Sequence, residues 1–153
     1  MMVRTGIEID ELVIDQGLVD AIVRHCARAL PNEGCGLLSG RQIDAALVGG
    51  RFFPGTNVLA SPSRFAMDPA EVVAALTAID RDGDRLAAIV HSHPSTGAAP
   101  SRTDVLEAYY PEALLLIVSL ADVAPRLRAW RAEPGDGQAE GGLEVPIRVG
   151  PPP

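Results

Sequence analysis

His91 and His93 open the stretch H-S-H-P-S-T-G-A-A-P-S-R-T-D, which ends at Asp104. On an extended backbone successive side chains point to opposite faces, so these two imidazoles share a side and can converge on one ion. Pro94 stops the strand from continuing, and Gly97 and Pro100 bring the chain round so that Asp104 can offer an oxygen. Two nitrogens and one carboxylate make a zinc site with one position left open, the pattern of catalytic rather than structural zinc. Such a metal acidifies its water, and a neighbouring group must take the proton and return it to the leaving group. A carboxylate is the usual choice. Glu33, Asp68, Glu107 and Glu112 are all candidates, and periodicity does not choose among them. Glu33 lies between Asn32 and Gly34, where a solvated loop carboxylate is the plain alternative.

The elements that must hold these groups follow from apolar spacing. Residues 6–14 read as a strand, and Asp15 caps an amphipathic helix from Gln16 to Leu30, closed by Pro31-Asn32. Gly34 to Gly40 reads as a short buried strand with Glu33 at its entrance. A second hairpin strand follows from Ala45 to Phe53, broken at Gly49-Gly50, and Pro54 to Ser63 is a loop. Asp68-Pro69-Ala70-Glu71 is a helix start, with Asp as cap, Pro at the first position and Glu reaching back; the helix runs to Asp82 and stops at Gly83. Leu86 to Val90 is an apolar strand that delivers the two histidines at its end. A helix is predicted over 102–110, a central strand over Ala113 to Leu120, another over Pro125 to Ala132, a flexible connector from Glu133 to Gly142 and one last strand over Leu143 to Val149. Six or seven strands mixed with three helices indicate an α/β or α+β class with a mixed sheet. One domain over 1–150 with a frayed tail at 151–153 is the simplest organisation.

A hydrophobic fraction of 47% with 22% charged residues is that of a globular protein able to bury a core. The net charge of −7 argues against a nucleic-acid partner. No segment has the apolar length of a signal peptide or membrane span, so a cytoplasmic location without membrane contact is expected. Cys26 and Cys35 are too few for a disulfide framework and read as small buried thiols.

Taken together, Glu33 followed by G-C-G-L-L-S-G, then H-S-H-P, then P-S-R-T-D, with T-N-V-L-A-S-P-S-R-F-A-M-D-P between, resemble the JAMM/MPN+ (Mov34/MPN/PAD-1) zinc metalloprotease family. Within it the chain is most similar to short bacterial Mec-type peptidases of sulfur-carrier proteins. The resemblance implies a mixed, curved β-sheet flanked by helices, the MPN/cytidine-deaminase-like architecture. It implies one Zn2+ per chain on His91, His93 and Asp104, with Glu33 as general acid/base and Ser101 as hydrogen-bond donor to the oxyanion. The implied reaction is hydrolysis of an amide or isopeptide bond after the C-terminal Gly-Gly of a ubiquitin-like or sulfur-carrier protein, with the substrate tail extended. The chain is too short to hold much of the inserted segments with which deubiquitinating relatives grip ubiquitin chains. A homodimer is compatible with the sequence. Two other readings stand beside this one: a non-catalytic scaffold of the same fold, and a RadC-like, DNA-repair-associated protein whose H-x-H-P-S-G stretch is similar to H-S-H-P-S-T-G.

Several of these residues also have structural readings. Ser101-Arg102-Thr103-Asp104 is an S-x-x-D helix start, in which Ser101 caps and Asp104 reciprocates. Ser92 points away from the histidines and reads as a structural hydroxyl. His25 has no spaced partner and reads as a surface or core-edge residue. Trp130 with Arg126 and Arg128 reads as a cross-strand surface group, and Cys35 shares a strand face with Glu33.

Overall fold

The computed structural model describes residues 8–106, 110, 112–132 and 142–153. In chain order its elements are β1 (Glu11–Ile14), α1 (Gln16–Ala29), β2 (Cys35–Ile43), β3 (Ala46–Gly55), α2 (Pro69–Arg81), β4 (Arg85–His93), α3 (Arg102–Leu106), β5 (Leu114–Ser119), β6 (Arg126–Arg131), β7 (Leu143–Val145) and β8 (Ile147–Val149). The strands form one mixed sheet in the order β7-β6-β5-β4-β2-β3-β1-β8. β4 pairs antiparallel with β2 and parallel with β5. This is the mixed α+β class with a curved sheet that the sequence predicts.

The curvature has a covalent cause. β7 pairs with β6 and β8 pairs with β1, at opposite ends of the strand order, yet only Pro146 separates the two strands. One residue spans no more than about 3.6 Å, so the sheet must curl until its ends are neighbours. The single last strand expected over Leu143 to Val149 is therefore two. Pro146 breaks it because it has no N–H to give a ladder, while its carbonyl still accepts from Leu12 N at 2.9 Å.

Two apolar clusters fill the faces. α1 contributes Ile22 and Cys26 to a buried group with Leu12, Leu38, Leu47, Val90 and Leu116. α2 contributes Ala75 and Ile79 to another, with Leu37 and Phe53, against which Ile89 packs. Alternation along β4 thus sends Val90 and Ser92 toward α1, and Ile89, His91 and His93 toward the other face.

Local signals decide the helix starts. Asp15 caps α1 by accepting from Leu18 N at 2.7 Å, and Asp68 caps α2 by accepting from Ala70 N at 2.8 Å. Glu71 does not reach back as expected. The Asp68 N–H is already bonded to Thr56 O at 2.9 Å, and the Glu71 carboxylate instead takes the Thr56 N–H and hydroxyl at 2.6 and 2.8 Å.

Three strand limits also differ. β1 covers only part of the expected 6–14, of which 6 and 7 lie outside the described residues; β3 starts opposite Glu11, and ahead of that pair Asp10 N donates to Ala45 O at 2.8 Å. β3 runs unbroken through Gly49-Gly50, and the irregularity lies across from it, between Leu38 and Gly40 of β2. Those glycines serve close packing: a Cβ at Gly49 would stand 2.8 Å from Ile14 Cγ2. β4 itself extends to His93, so both histidines are inside the strand. The expected helix over 102–110 is described as Arg102–Leu106, with 107–109 outside the described residues, as is most of the 133–142 connector. Residues 151–153 are exposed, with Pro151 O accepting from Arg148 Nη1 at 3.1 Å.

Gly36 tests how tightly β2 and β3 are matched. A Cβ there would meet Phe53 O at 2.6 Å and the Phe52 ring at 2.5 Å, and a paired carbonyl cannot step aside. Gly36→Ala is expected to cost about 1–3 kcal/mol, read as a lower urea midpoint at unchanged slope.

Candidate active site

β4 lies between β2 and β5 and presents His91 and His93 almost fully buried, at 1% and 7% exposure. The loop after it is tied down at several points. His93 Nδ1 lies 2.8 Å from Gly97 O, Trp130 Nε1 donates to Ala98 O at 2.8 Å, and Ser119 Oγ donates to Thr96 O. A carbonyl can only accept, so His93 Nδ1 carries the proton, and in the neutral ring the Nε2 lone pair faces inward. The chain then enters α3 through a reciprocal cap: Asp104 N donates to Ser101 Oγ at 3.0 Å, and Ser101 N donates to Asp104 Oδ2 at 2.8 Å.

These constraints bring three ligand atoms together. His91 Nε2 and His93 Nε2 are 3.2 Å apart, and Asp104 Oδ2 is 3.2 Å from the first and 3.1 Å from the second. Tetrahedral zinc with bonds of about 2.0–2.1 Å has ligand edges of about 3.3 Å, so the triangle is close to the size that one ion needs. The donor set, two imidazole nitrogens and a carboxylate oxygen with an open side, fits zinc; among the described residues this is the group that could hold a metal. Burial opposes ionisation of Asp104, but the hydrogen bonds from His91 and His93 outweigh it and hold the carboxyl well below the usual range. Burial likewise opposes charge on His93, yet Asp104 and the Gly97 carbonyl raise its pKa overall.

Glu33 sits beside this cluster. It precedes β2 and is 4% exposed, which overturns the solvated-loop alternative. Cys35 pairs with His91 across β2 and β4, so the residues just before β2 lie against the end of the histidine strand. Burial pushes the Glu33 carboxyl up to about 7, with the charge of His93 pulling down and that of Asp104 pushing up. Among the described residues its Oε1 has no hydrogen-bond partner. Of the other candidate carboxylates, Asp68 caps α2 and Glu112 is exposed, so neither is brought here, and Glu107 lies outside the described residues.

Ser101 serves its cap with a lone pair, because it accepts from Asp104 N; the hydroxyl proton remains free to donate. His25 is half-buried at the core edge, with Nε2 at 3.0 Å from both Cys35 O and Gly55 O, away from the metal-ligand group. Cys26 and Cys35 are free, buried thiols, and burial pushes them up to about 11 and about 12, so neither is a nucleophile at neutral pH.

Two contributors escape sequence reasoning. Phe65 stacks on His91 at 4.7 Å with an 18° interplanar angle, which steadies a ring whose Nδ1 has no hydrogen-bond partner. Trp130, expected as a surface group with Arg128, does carry Arg128 over its ring at 4.6 Å, yet its indole N–H also fixes the histidine loop. Their only local signal is an aromatic in a polar segment. Next to His91 and Asp104 opens a cavity of about 390 Å³, walled largely by Phe65, Met67, Val72 and Ile89.

The family model for prokaryotic homologs of the JAB domain matches residues 15–133. The chain belongs to the prokaryotic JAB family. Three relatives stand out within it. The CysO-cysteine peptidase of Mycobacterium tuberculosis is 36% identical over 137 residues, 88% of this chain and 91% of that one. A probable TtuB-protein conjugate cleaving protease of Thermus thermophilus is 39% identical over 98 residues, 63% of each chain. The desampylase of Haloferax volcanii is 37% identical over 109 residues, 65% of this chain and 74% of that one. In three dimensions this JAB domain superposes on a protein from Desulfitobacterium hafniense with a TM-score of 0.79 at 31% identity, covering 91% of this chain and 92% of that one.

Glu33 makes the metal-free JAB site pH-sensitive in a defined direction. Its carboxyl titrates near 4.5 when unfolded and about 7 when folded, so stability from the neutral form is complete below about pH 4.5 and lost as pH rises through 7. Glu33→Gln is therefore expected to stabilise the metal-free protein at pH 8, by an amount of order 1 kcal/mol, and to leave it unchanged at pH 4. Thermal melts at the two pH values after chelation check this.

Proposed function

We propose that this chain is a zinc-dependent peptidase that hydrolyses the amide or isopeptide bond after the C-terminal Gly-Gly of a ubiquitin-like or sulfur-carrier protein. The observation that carries the reading is the triangle of His91 Nε2, His93 Nε2 and Asp104 Oδ2 at 3.1–3.2 Å, with the buried carboxylate of Glu33 beside it. A zinc ion on those three atoms would supply Lewis acidity, polarising the scissile carbonyl and lowering the pKa of water. Glu33 takes the proton from the attacking water and hands it to the leaving amine, a task suited to a carboxyl whose pKa lies near neutrality. The free proton of the Ser101 hydroxyl is donated to the carbonyl oxygen as negative charge develops there. The substrate class rests on the relatives, whose names refer to CysO-cysteine, to TtuB-protein conjugates and to desampylation. Among the described residues no helix is long and apolar enough to cross a membrane, which suits a substrate met in solution.

Zinc-loaded protein is to be incubated with carrier–cysteine and carrier–peptide fusions and the products weighed by mass spectrometry. Cleavage after Gly-Gly, its loss on chelation, and a fall of about 10²-fold or more in kcat for Glu33→Gln with zinc retained are the expected results. Absence of cleavage, or undiminished turnover by Glu33→Gln, would overturn the reading.

A further inference from the structure

The tip of Glu33 is unanchored at Oε1, so the place of its carboxylate depends on what holds the backbone behind it. Every hydrogen-bonding group of Glu33 and Gly34 on the main chain is engaged. Glu33 N donates to Ser61 O at 2.9 Å, and Glu33 O accepts from Asn57 Nδ2 at 3.0 Å. Gly34 N donates to Ser92 Oγ at 2.7 Å, and Gly34 O accepts from Ser92 N at 3.0 Å. The carbonyl and the N–H of the one peptide unit joining Glu33 to Gly34 are thus gripped by two side chains from different segments.

Each grip is itself immobilised. Asn57 uses its whole amide: Nδ2 also donates to Arg64 O at 3.0 Å, and Oδ1 accepts from Leu59 N and Ala66 N, both at 3.1 Å. Only one orientation of the amide satisfies two carbonyls and two N–H groups. Ser92 is fully buried, and its hydroxyl also meets the Cys26 thiol of α1. On that side α1 closes on the same peptide, where a Cβ at Gly34 would stand 2.9 Å from Cys26 Cα. Ser92 lies between His91 and His93, so the grip on Gly34 comes from the residue that joins the two metal-facing histidines.

We infer that Asn57 and Ser92 are positioning residues that clamp the Glu33–Gly34 peptide from two sides and so set the approach of the Glu33 carboxylate to the reacting water. The inference rests on the hydrolase reading for its consequence and on the hydrogen bonds for its geometry. Neither side chain belongs to the metal-ligand group or lines the cavity beside it. Their effect therefore falls on the proton-transfer step and leaves metal affinity and substrate capture intact. Displacing a base by about 1 Å costs on the order of 10²-fold in rate, which bounds what the clamp can contribute.

The experiment uses the zinc-loaded full chain carrying Asn57→Ala, Ser92→Ala or Ser92→Thr, alone and combined with Glu33→Gln. Asn57→Asp stands in if the alanine variant does not fold, since it keeps the accepting oxygen and removes the donor to Glu33 O. With a cleavable carrier fusion, Asn57→Ala and Ser92→Ala are expected to lower kcat by about 10- to 10²-fold with KM and zinc content near wild type. Ser92→Thr keeps the hydroxyl and restores most of the rate. In the Glu33→Gln background the same changes cost nothing further, because residues that act through Glu33 have nothing left to position. Full activity of the single variants, or an equal loss in both backgrounds, overturns the clamp. Amide hydrogen exchange supplies a readout without turnover: Ser92→Ala and Asn57→Ala are each expected to speed exchange at Gly34, the N–H of the clamped peptide, by about tenfold or more. Unchanged protection overturns the clamp even if the wild-type protein cleaves no fusion, a result that by itself overturns only the hydrolase reading.

Discussion

The antiparallel pairing of β2 with β4, with Cys35 opposite His91, sets the face on which both histidines lie and brings the residues just before β2, Glu33 among them, beside them. Side chains alternate along a strand, so this one register places both histidines on the face toward α2 and sends Ser92 into the α1 side. A slip of one residue would exchange them, burying two imidazoles in an apolar core and presenting a lone hydroxyl to the cavity. The register is guarded by volume on both faces. Val90 and Leu38 pack into one buried cluster, while Leu37, with Ile89 against it, belongs to the other. Packing against two helices thus secures a chemical geometry that the polar groups could not secure themselves.

Those polar groups meet opposing demands from burial and from one another. Three electron-pair donors held at 3.1–3.2 Å repel unless a proton or a cation lies between them. The hydrogen bonds from His91 and His93 hold the Asp104 carboxyl well below the usual range, and Asp104 in turn raises the pKa of His93, so that an imidazole proton relieves the crowding. Glu33 has the opposite problem, a buried carboxyl whose charge is poorly solvated. The unpartnered Glu33 Oε1 and His91 Nδ1 belong to the same group of residues. Buried groups without partners persist where surrounding structure over-determines them, and here that structure is a sheet held on both sides of β4 and a loop pinned by Trp130.

What the sequence revealed follows the range of the interactions involved. H-S-H and S-R-T-D were legible because strand alternation and helix capping act over two or three residues, and the structure places those groups as local rules require. Asp15 and Asp68 were legible as caps for the same reason. Glu33 was different. Nothing within three residues of it distinguishes a buried carboxylate beside the histidines from a solvated one, and only the family resemblance selected it. Phe65 and Trp130 were missed as parts of the site because each acts on a segment 26 or 32 residues away along the chain, by stacking on His91 and by bonding Ala98 O. Closure of the sheet was missed because Pro146 reads locally as an interruption, whereas its consequence is to send one short strand to each end of the sheet.

The cap at Ser101 joins folding to chemistry at a single oxygen. The first turn of α3 is not secured by its own backbone bonds, because nucleation costs more than the first few return. Its start is held instead by the reciprocal bonds between Ser101 and Asp104, and Asp104 is in turn drawn to the two histidines. The carboxylate oxygen that closes the cap, Oδ2, is the one that faces the two histidine nitrogens. A cation there would draw charge from Oδ2 and fix Asp104 more firmly than the histidines alone. The same bond, through the cap, orients the Ser101 hydroxyl. Under the hydrolase reading proposed above, helix start, ligand and oxyanion donor form one mechanical unit, and the readings of S-x-x-D as a cap and as a catalytic motif do not compete.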